Sequence, residues 1–237
     1  MLLAIDTSTA QLGVALMKSG EVVVELLWSS PAHHTEELAP AIAEALVRAG
    51  IGIEQLEAVV VAIGPGSFTA LRVGLSLAKG MALARNMPIL GVPTLDILAA
   101  GQPMVDMPLA AVLRAGRGRI AVNWYKPDAG IKMRRDQVAQ GGRDPGWTAH
   151  GPAVVTTIDA LAKSIAKPCL VAGELDLEER QRLSRKRVNV VLAPPSRCVR
   201  RPAILAEIGW KRYRERRMDN PATLSPIYLH ANEPIEA

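Results

Sequence analysis

The densest polar chemistry in the chain lies at the end of its first apolar run. Asp6-Thr7-Ser8-Thr9 follows the strand pattern Met1-Leu2-Leu3-Ala4-Ile5 and puts one carboxylate and three hydroxyls into a single turn. Hydroxyls and backbone N–H groups in such a turn can line a phosphate. The same residues also make ordinary turns, in which Asp and Thr bond their own backbone. A second cluster is Gly64-Pro65-Gly66-Ser67-Phe68-Thr69. Ser67 follows a strand and opens a helix, as a nucleophilic serine does. Its surroundings are not G-x-S-x-G, and no histidine has a recognisable place as its base. His33 and His34 are adjacent and point different ways on regular structure, while His150 and His230 are isolated. A metal site needs several convergent ligands, so these histidines read as solvated or locally bonded. Cys169 and Cys198 have no partner pattern and read as buried free thiols of a reducing compartment.

The elements that position these residues follow from periodicity. Val59-Val60-Val61-Ala62-Ile63 is short, continuous and β-branched, a buried strand. Gly64-Pro65-Gly66 breaks it, and Ser67 is a good N-cap for the helix that follows. Gly66, Ala70, Gly74, Ala78 and Ala82 recur every four residues and share one face. A face without bulk lets another helix approach closely, either within the domain or from a second protein. Upstream, 12–18 and 21–28 are strands joined by a Ser19-Gly20 hairpin turn. Thr35 to Ala49 is a helix with Leu38, Ile42 and Leu46 on one stripe. A strand at Ile89–Val92 and a helix from Thr94 complete a βββαβαβα order, a sheet with a hairpin on one side and crossover helices.

Gly101-Gln102-Pro103 to Pro108 marks a boundary. Paired strands at Leu109–Leu113 and Ile120–Tyr125 open a second αβ segment. Helices at 156–166 and 177–184 and strands at 169–172 and 188–192 follow, and Gln140–Gly146 is loop by composition. Pro202 to Arg217 is a last helix with a basic end. The expected division is 1–102, 103–198 and a terminal segment 199–237.

A chain of 237 residues, 49% hydrophobic, has ample core. No apolar run reaches a membrane span, and no basic leader with a cleavage pattern precedes the first strand, so a cytoplasmic location is expected. Residues 1–100 hold 5 Lys/Arg and 9 Asp/Glu, whereas 101–237 hold 23 and 14. The basic half allows a nucleic-acid partner, and a solvated arginine surface equally.

The motifs together resemble the bacterial TsaB (YeaZ) family. The likeness rests on Asp6–Thr9, His34-Thr35-Glu36 with Leu38 and Pro40, and Gly64–Thr69 with Arg72, Gly74, Lys79 and Gly80. It continues in Gly91-Val92 with Thr94-Leu95 and in the tail Pro221-Ala222-Thr223 and Pro226-Ile227-Tyr228-Leu229. It is dense over residues 1–100 and diffuse over 101–200. The resemblance implies an α/β, two-lobed actin-like (ASKHA, ribonuclease H-like) fold with mixed sheets flanked by helices. It implies a non-catalytic part in forming N6-threonylcarbamoyladenosine at position 37 of ANN-decoding tRNAs. The implied partners are a TsaD-like catalytic paralogue and a TsaE-like P-loop ATPase, with tRNA met mainly through the complex and a homodimer when the paralogue is absent. No cofactor is expected.

The paralogue's metal ligands are two histidines four residues apart, just after a Gly-Val. Here Thr94 and Leu98 fall in those places, and neither replaces an imidazole. The family's partner surface, carried over, is the helix pair 35–49 and 67–84, with Leu38, Ile42, Leu46, Ala70, Leu71, Gly74, Leu75 and Ala78 as contacts.

Asp6–Thr9 also resembles the first phosphate loop of the actin/sugar-kinase superfamily, which leaves a small-molecule kinase or ATPase as an alternative. That architecture needs a second acidic loop, and the position after Leu113 reads Arg114-Ala115-Gly116. Ala172-Gly173-Glu174 is the best remnant of an adenine loop. Arg114 and Arg119 stand where the family commonly has acids. A third reading is a direct tRNA-binding module through 114–119, 180–187 and 197–217.

Overall fold

The computed structural model describes residues 1–128, 146–186 and 188–229. The chain divides into two compact units, one comprising Met1–Ile97 with Arg200–Tyr228 and the other centred on Leu98–Val199.

In the first unit, β1 (Leu2–Asp6), β2 (Gln11–Lys18) and β3 (Glu21–Ser29) form an antiparallel meander. β4 (Ala58–Ala62) and β5 (Ile89–Val92) add in parallel, giving the order β3-β2-β1-β4-β5. Successive side chains of a strand face opposite sides, and both sides are covered. Leu3 and Ile5 pack with α1 (His34–Arg48) and α2 (Phe68–Arg85). Leu2 and Ala4 pack with Leu205 and Ala206 of α6 (Pro202–Arg214). A strand buried on both faces reads as a continuous apolar run, which is why β1 and β4 stand out in the sequence.

The second unit repeats the plan. β6 (Leu109–Gly116) and β7 (Arg119–Pro127) are antiparallel, and β10 (Cys169–Gly173) and β11 (Val190–Leu192) extend β6 in parallel. β8 (Trp147–Ala149) and β9 (Val154–Thr156) pair with opposite ends of β7. α4 (Ile158–Ser164) and α5 (Leu177–Ser184) bury Ile158, Leu161 and Leu183 against Val112, Val122 and Val171. In each unit three antiparallel strands continue into two parallel ones. This is the ribonuclease H-like lobe, and two in one chain make the actin-like fold.

The short helix α3 (Thr94–Ala100) and α5 have the limits expected from the sequence. The three-residue strands β8 and β9 are too short to show a period, so the sequence does not announce them. Of the loop tract 140–146, only Gly146 lies within the described residues. Setting 199–237 apart as a terminal segment needs correction, because Arg200–Tyr228 belongs to the first unit. The apolar side of α6 covers one face of that sheet. Beyond it Asp219 N–H donates to Ile89 O at 2.9 Å and Ile227 N–H to Ile63 O at 2.7 Å. No helix among the described residues is long and apolar enough to cross a membrane.

Candidate functional site

The turn after β1 is closed on itself. Asp6, Thr7, Ser8 and Thr9 are all buried. Ser8 N–H donates to Asp6 Oδ1 at 2.8 Å, and Arg200 Nε donates to Asp6 Oδ2 at 3.0 Å. Arg200 Nη2 also donates to Thr9 Oγ1 at 2.7 Å, and Arg200 is 1% exposed. Thr7 Oγ1 donates to Ala70 O at 2.6 Å, inside α2. Ser8 Oγ and Thr94 Oγ1 share a bond of 2.8 Å, and Thr94 Oγ1 accepts from Gly64 N–H at 3.0 Å. His34 Nε2–H donates to Thr9 O at 2.8 Å, so this histidine is locally bonded. The carboxylate and hydroxyls that could have met a phosphate or its metal thus have protein partners. A buried carboxylate needs such a counter-charge, since burying it alone is costly. Arg200 supplies that charge from 194 residues away. Nothing in the sequence separates it from the other arginines of the 197–217 stretch.

The Gly64–Thr69 turn sits against the same loop. Ser67 N–H donates to Ser8 O at 2.7 Å. Ser67 Oγ accepts from Ala70 N–H at 3.5 Å, the N-cap position rather than a nucleophile's setting. Thr94, in the place of the first paralogue histidine, is a structural hydroxyl, and Leu98 is 1% exposed. Among the described residues no three His, Cys, Asp or Glu side chains converge as metal ligands. His33 lies near Glu36 on the surface, and His230 lies outside the described residues.

In the second unit, the turn after Leu113 is organised by ion pairs. Arg114 Nη2 lies 3.0 Å from Asp176 Oδ2 and 3.3 Å from Glu179 Oε2. Asp176 caps α5 and exchanges reciprocal bonds with Glu179, each 2.8 Å. The Glu179 backbone N–H, and then Arg114, hold the Asp176 carboxyl below the usual carboxylate range. Arg114 therefore serves the start of α5. Nothing in the structure explains Arg119.

The residues expected to meet a partner are buried. Leu38, Ile42 and Leu46 of α1 and Ala70, Leu71, Gly74, Leu75 and Ala78 of α2 line the inner faces of the two helices. A Cβ on Gly74 would collide with Thr7 Oγ1. The small-residue row thus brings α2 onto the first turn of its own unit. The outer faces also carry small or apolar residues, among exposed charges such as Glu36, Glu44, Arg48 and Arg72. Ala39, Ala43 and Val47 of α1 and Ser76, Gly80 and Leu83 of α2 are exposed, Val47 at 79% and Leu83 at 66%. A Cβ on Gly80 would meet nothing within 4 Å. Small residues lie on both sides of α2, and spacing in the sequence does not say which side is covered.

A third cluster joins residues of the Gly64–Lys79 stretch to the tail motif, a contact that the sequence does not announce. Phe68 stacks on Tyr228 with centroids 4.9 Å apart, and the Arg72 guanidinium lies 3.7 Å over the Phe68 ring. Arg72 Nε donates to Tyr228 Oη at 3.1 Å, and Lys79 Nζ to Leu224 O at 3.0 Å. The tail is thereby fastened along α2.

Residues 29–132 match the family model described as TsaD, tRNA N6-adenosine threonylcarbamoyltransferase. A Bacillus subtilis protein named tRNA threonylcarbamoyladenosine biosynthesis protein TsaB is 34% identical over 130 residues, 55% of this chain and 57% of that one. The chain spans about half the length of the curated relatives of that name that it matches. An uncharacterised Mycobacterium tuberculosis protein is 31% identical over 232 residues, 96% of this chain and 90% of that one. The solved structure of YeaZ from Pseudomonas aeruginosa superposes with a TM-score of 0.74 at 24% identity, covering 96% of this chain and 99% of that one. At that identity the likeness speaks for the fold alone.

Proposed function

We infer the role of this chain from one premise: it belongs to the TsaB (YeaZ) family. We propose that it takes part in forming N6-threonylcarbamoyladenosine on tRNA, as a non-catalytic subunit that holds a TsaD-like paralogue. The observation that carries the holding role is the outer face of α1 and α2. Ala39, Ala43, Val47, Ser76, Gly80 and Leu83 give it small and apolar positions beside the exposed charges of Glu44, Arg48 and Arg72. Two helices with small outer residues accept another helix pair at short range, and apolar side chains exposed together mark an interaction surface. A TsaE-like ATPase and tRNA join through the complex in this reading, and the same face pairs two copies when the paralogue is missing.

The non-catalytic assignment is supported by the first turn. Asp6 is paired with Arg200, and the hydroxyls of Thr7, Ser8 and Thr9 are engaged within the chain. A kinase or ATPase would need that carboxylate and that turn for its phosphate and metal. Arg114, at the second such position, is bound to Asp176 and Glu179.

Gly80→Arg tests the role. The site has open space around it, so the variant folds, and the added side chain blocks close helix approach. Capture of the purified TsaD-like protein is expected to fall at least tenfold. Undiminished capture by a folded variant would sink the docking role. Calorimetry with Mg-ATP addresses the kinase alternative: tight binding that Asp6→Ala abolishes would replace the proposal.

A further inference from the structure

The second unit holds a cavity of about 290 Å³. It opens where α4 ends and the chain turns into β10, beside the last residues of β7. Trp124, Tyr125 and Lys126 come from β7, His150 from the segment after β8, and Lys167 and Cys169 from the turn into β10. It lies off the N-terminal ends of β6 and β10, whereas the Arg114 turn follows the C-terminal end of β6. It is therefore distinct from the turn that corresponds to a second phosphate loop.

The wall has two kinds of surface. Trp124 is half-buried and packs on the core behind it, so its indole offers a flat aromatic surface, whereas the buried Tyr125, the next residue of β7, faces the other side of the sheet. Lys126, His150 and Lys167 are exposed at the rim. Among the described residues no carboxylate lines the cavity. Cys169 adds no negative charge at neutral pH, because burial pushes its thiol up to about 11. The helix end does not present a row of open carbonyls either. Leu161 O accepts from both Ile165 N–H and Ser164 Oγ, and Ala166 O accepts from Asn189 Nδ2. An indole with cations beside it and no acid suits a ligand with a flat ring and an anionic group. The volume stands at the lower limit of small-molecule sites, room for one base with its sugar and phosphate.

We propose that this cavity binds a nucleoside monophosphate unit, its ring against Trp124 and its phosphate at Lys126, His150 and Lys167. The unit can be a free nucleotide or one exposed in single-stranded RNA, since the chemistry is shared. The site does not depend on the outer face of α1 and α2.

Calorimetry on the full chain with adenosine 5′-monophosphate is the test. Binding is expected, at least tenfold weaker for adenosine, which lacks the phosphate. The double variant Lys126→Glu/Lys167→Glu reverses two exposed charges and is expected to lose tenfold or more, while Lys126→Arg/Lys167→Arg retains binding. Heats equal to dilution at millimolar nucleotide, equal affinity for adenosine, or unchanged affinity in the charge-reversed variant would each overturn the site. A short single-stranded RNA that displaces the nucleotide identifies RNA as the source. A nucleotide that binds with no displacement by RNA upholds the site for the free form.

Discussion

Arg200 Nε donates to Asp6 Oδ2 at 3.0 Å, and both side chains are almost wholly removed from solvent. The pair joins the end of β1 to the segment that leads into α6. Breaking a buried pair by removing one partner leaves an uncompensated charge and costs about 3–5 kcal/mol. Arg200→Met should therefore lower the urea midpoint strongly with the slope unchanged. Asp6→Asn added to Arg200→Met should recover much of the loss. An Arg200→Met variant with the parent's midpoint would show that the pair contributes no stability.

Gly74 and Gly80 make opposite predictions on one helix. Gly74→Ala places its Cβ against Thr7 Oγ1, and overpacking of this kind costs about 1–3 kcal/mol. Gly80→Ala meets open space and should gain roughly 1 kcal/mol from helix propensity. Thermal melts of the two variants should move in opposite directions, and a shared direction would contradict this packing of α2.

Trp28 Nε1 donates to Glu37 Oε2 at 2.6 Å, and this bond leads the causes that hold the Glu37 carboxyl below its ordinary value of 4.5. A depressed carboxyl contributes stability that is present above the unfolded value and is lost as pH falls through the folded one. The difference in Tm between the parent and Trp28→Phe should thus be full at pH 7 and shrink below about pH 4.5. A difference that persists unchanged at about pH 3 would assign it to lost packing instead.

The two thiols should react at different rates. Cys169 is 2% exposed with its thiol pushed up to about 11 by burial, and the thiolate is the reactive form. Cys198 is half-buried. Iodoacetamide at about pH 8 should label Cys198 first, which peptide mass mapping reads directly. Because burial favours the neutral thiol, the Cys169 contribution to stability is present below its unfolded value of 9.0 and is lost as pH rises toward 11.

The repeating parts of the fold are legible without coordinates. Continuous apolar runs mark β1 and β4, the Ser19-Gly20 turn marks the hairpin, the Leu38–Ile42–Leu46 stripe marks α1, and the Ser67 cap marks the start of α2. These are local signals, because helix and strand periods are set within a few residues. The G-P-G-S-F-T block and its neighbours point to the family for the same reason.

Tertiary structure alone decides which surfaces are inside. The Ala70–Gly74–Ala78 row and the Ser76–Gly80 row are equally small in the sequence. The contact of Gly74 with Thr7 buries one and leaves the other open. The partner of Asp6 is equally invisible, since an arginine 194 residues away carries no local mark of its role. Periodicity reports which residues share a face. What that face meets depends on chain segments far apart in sequence, and only folding brings those together.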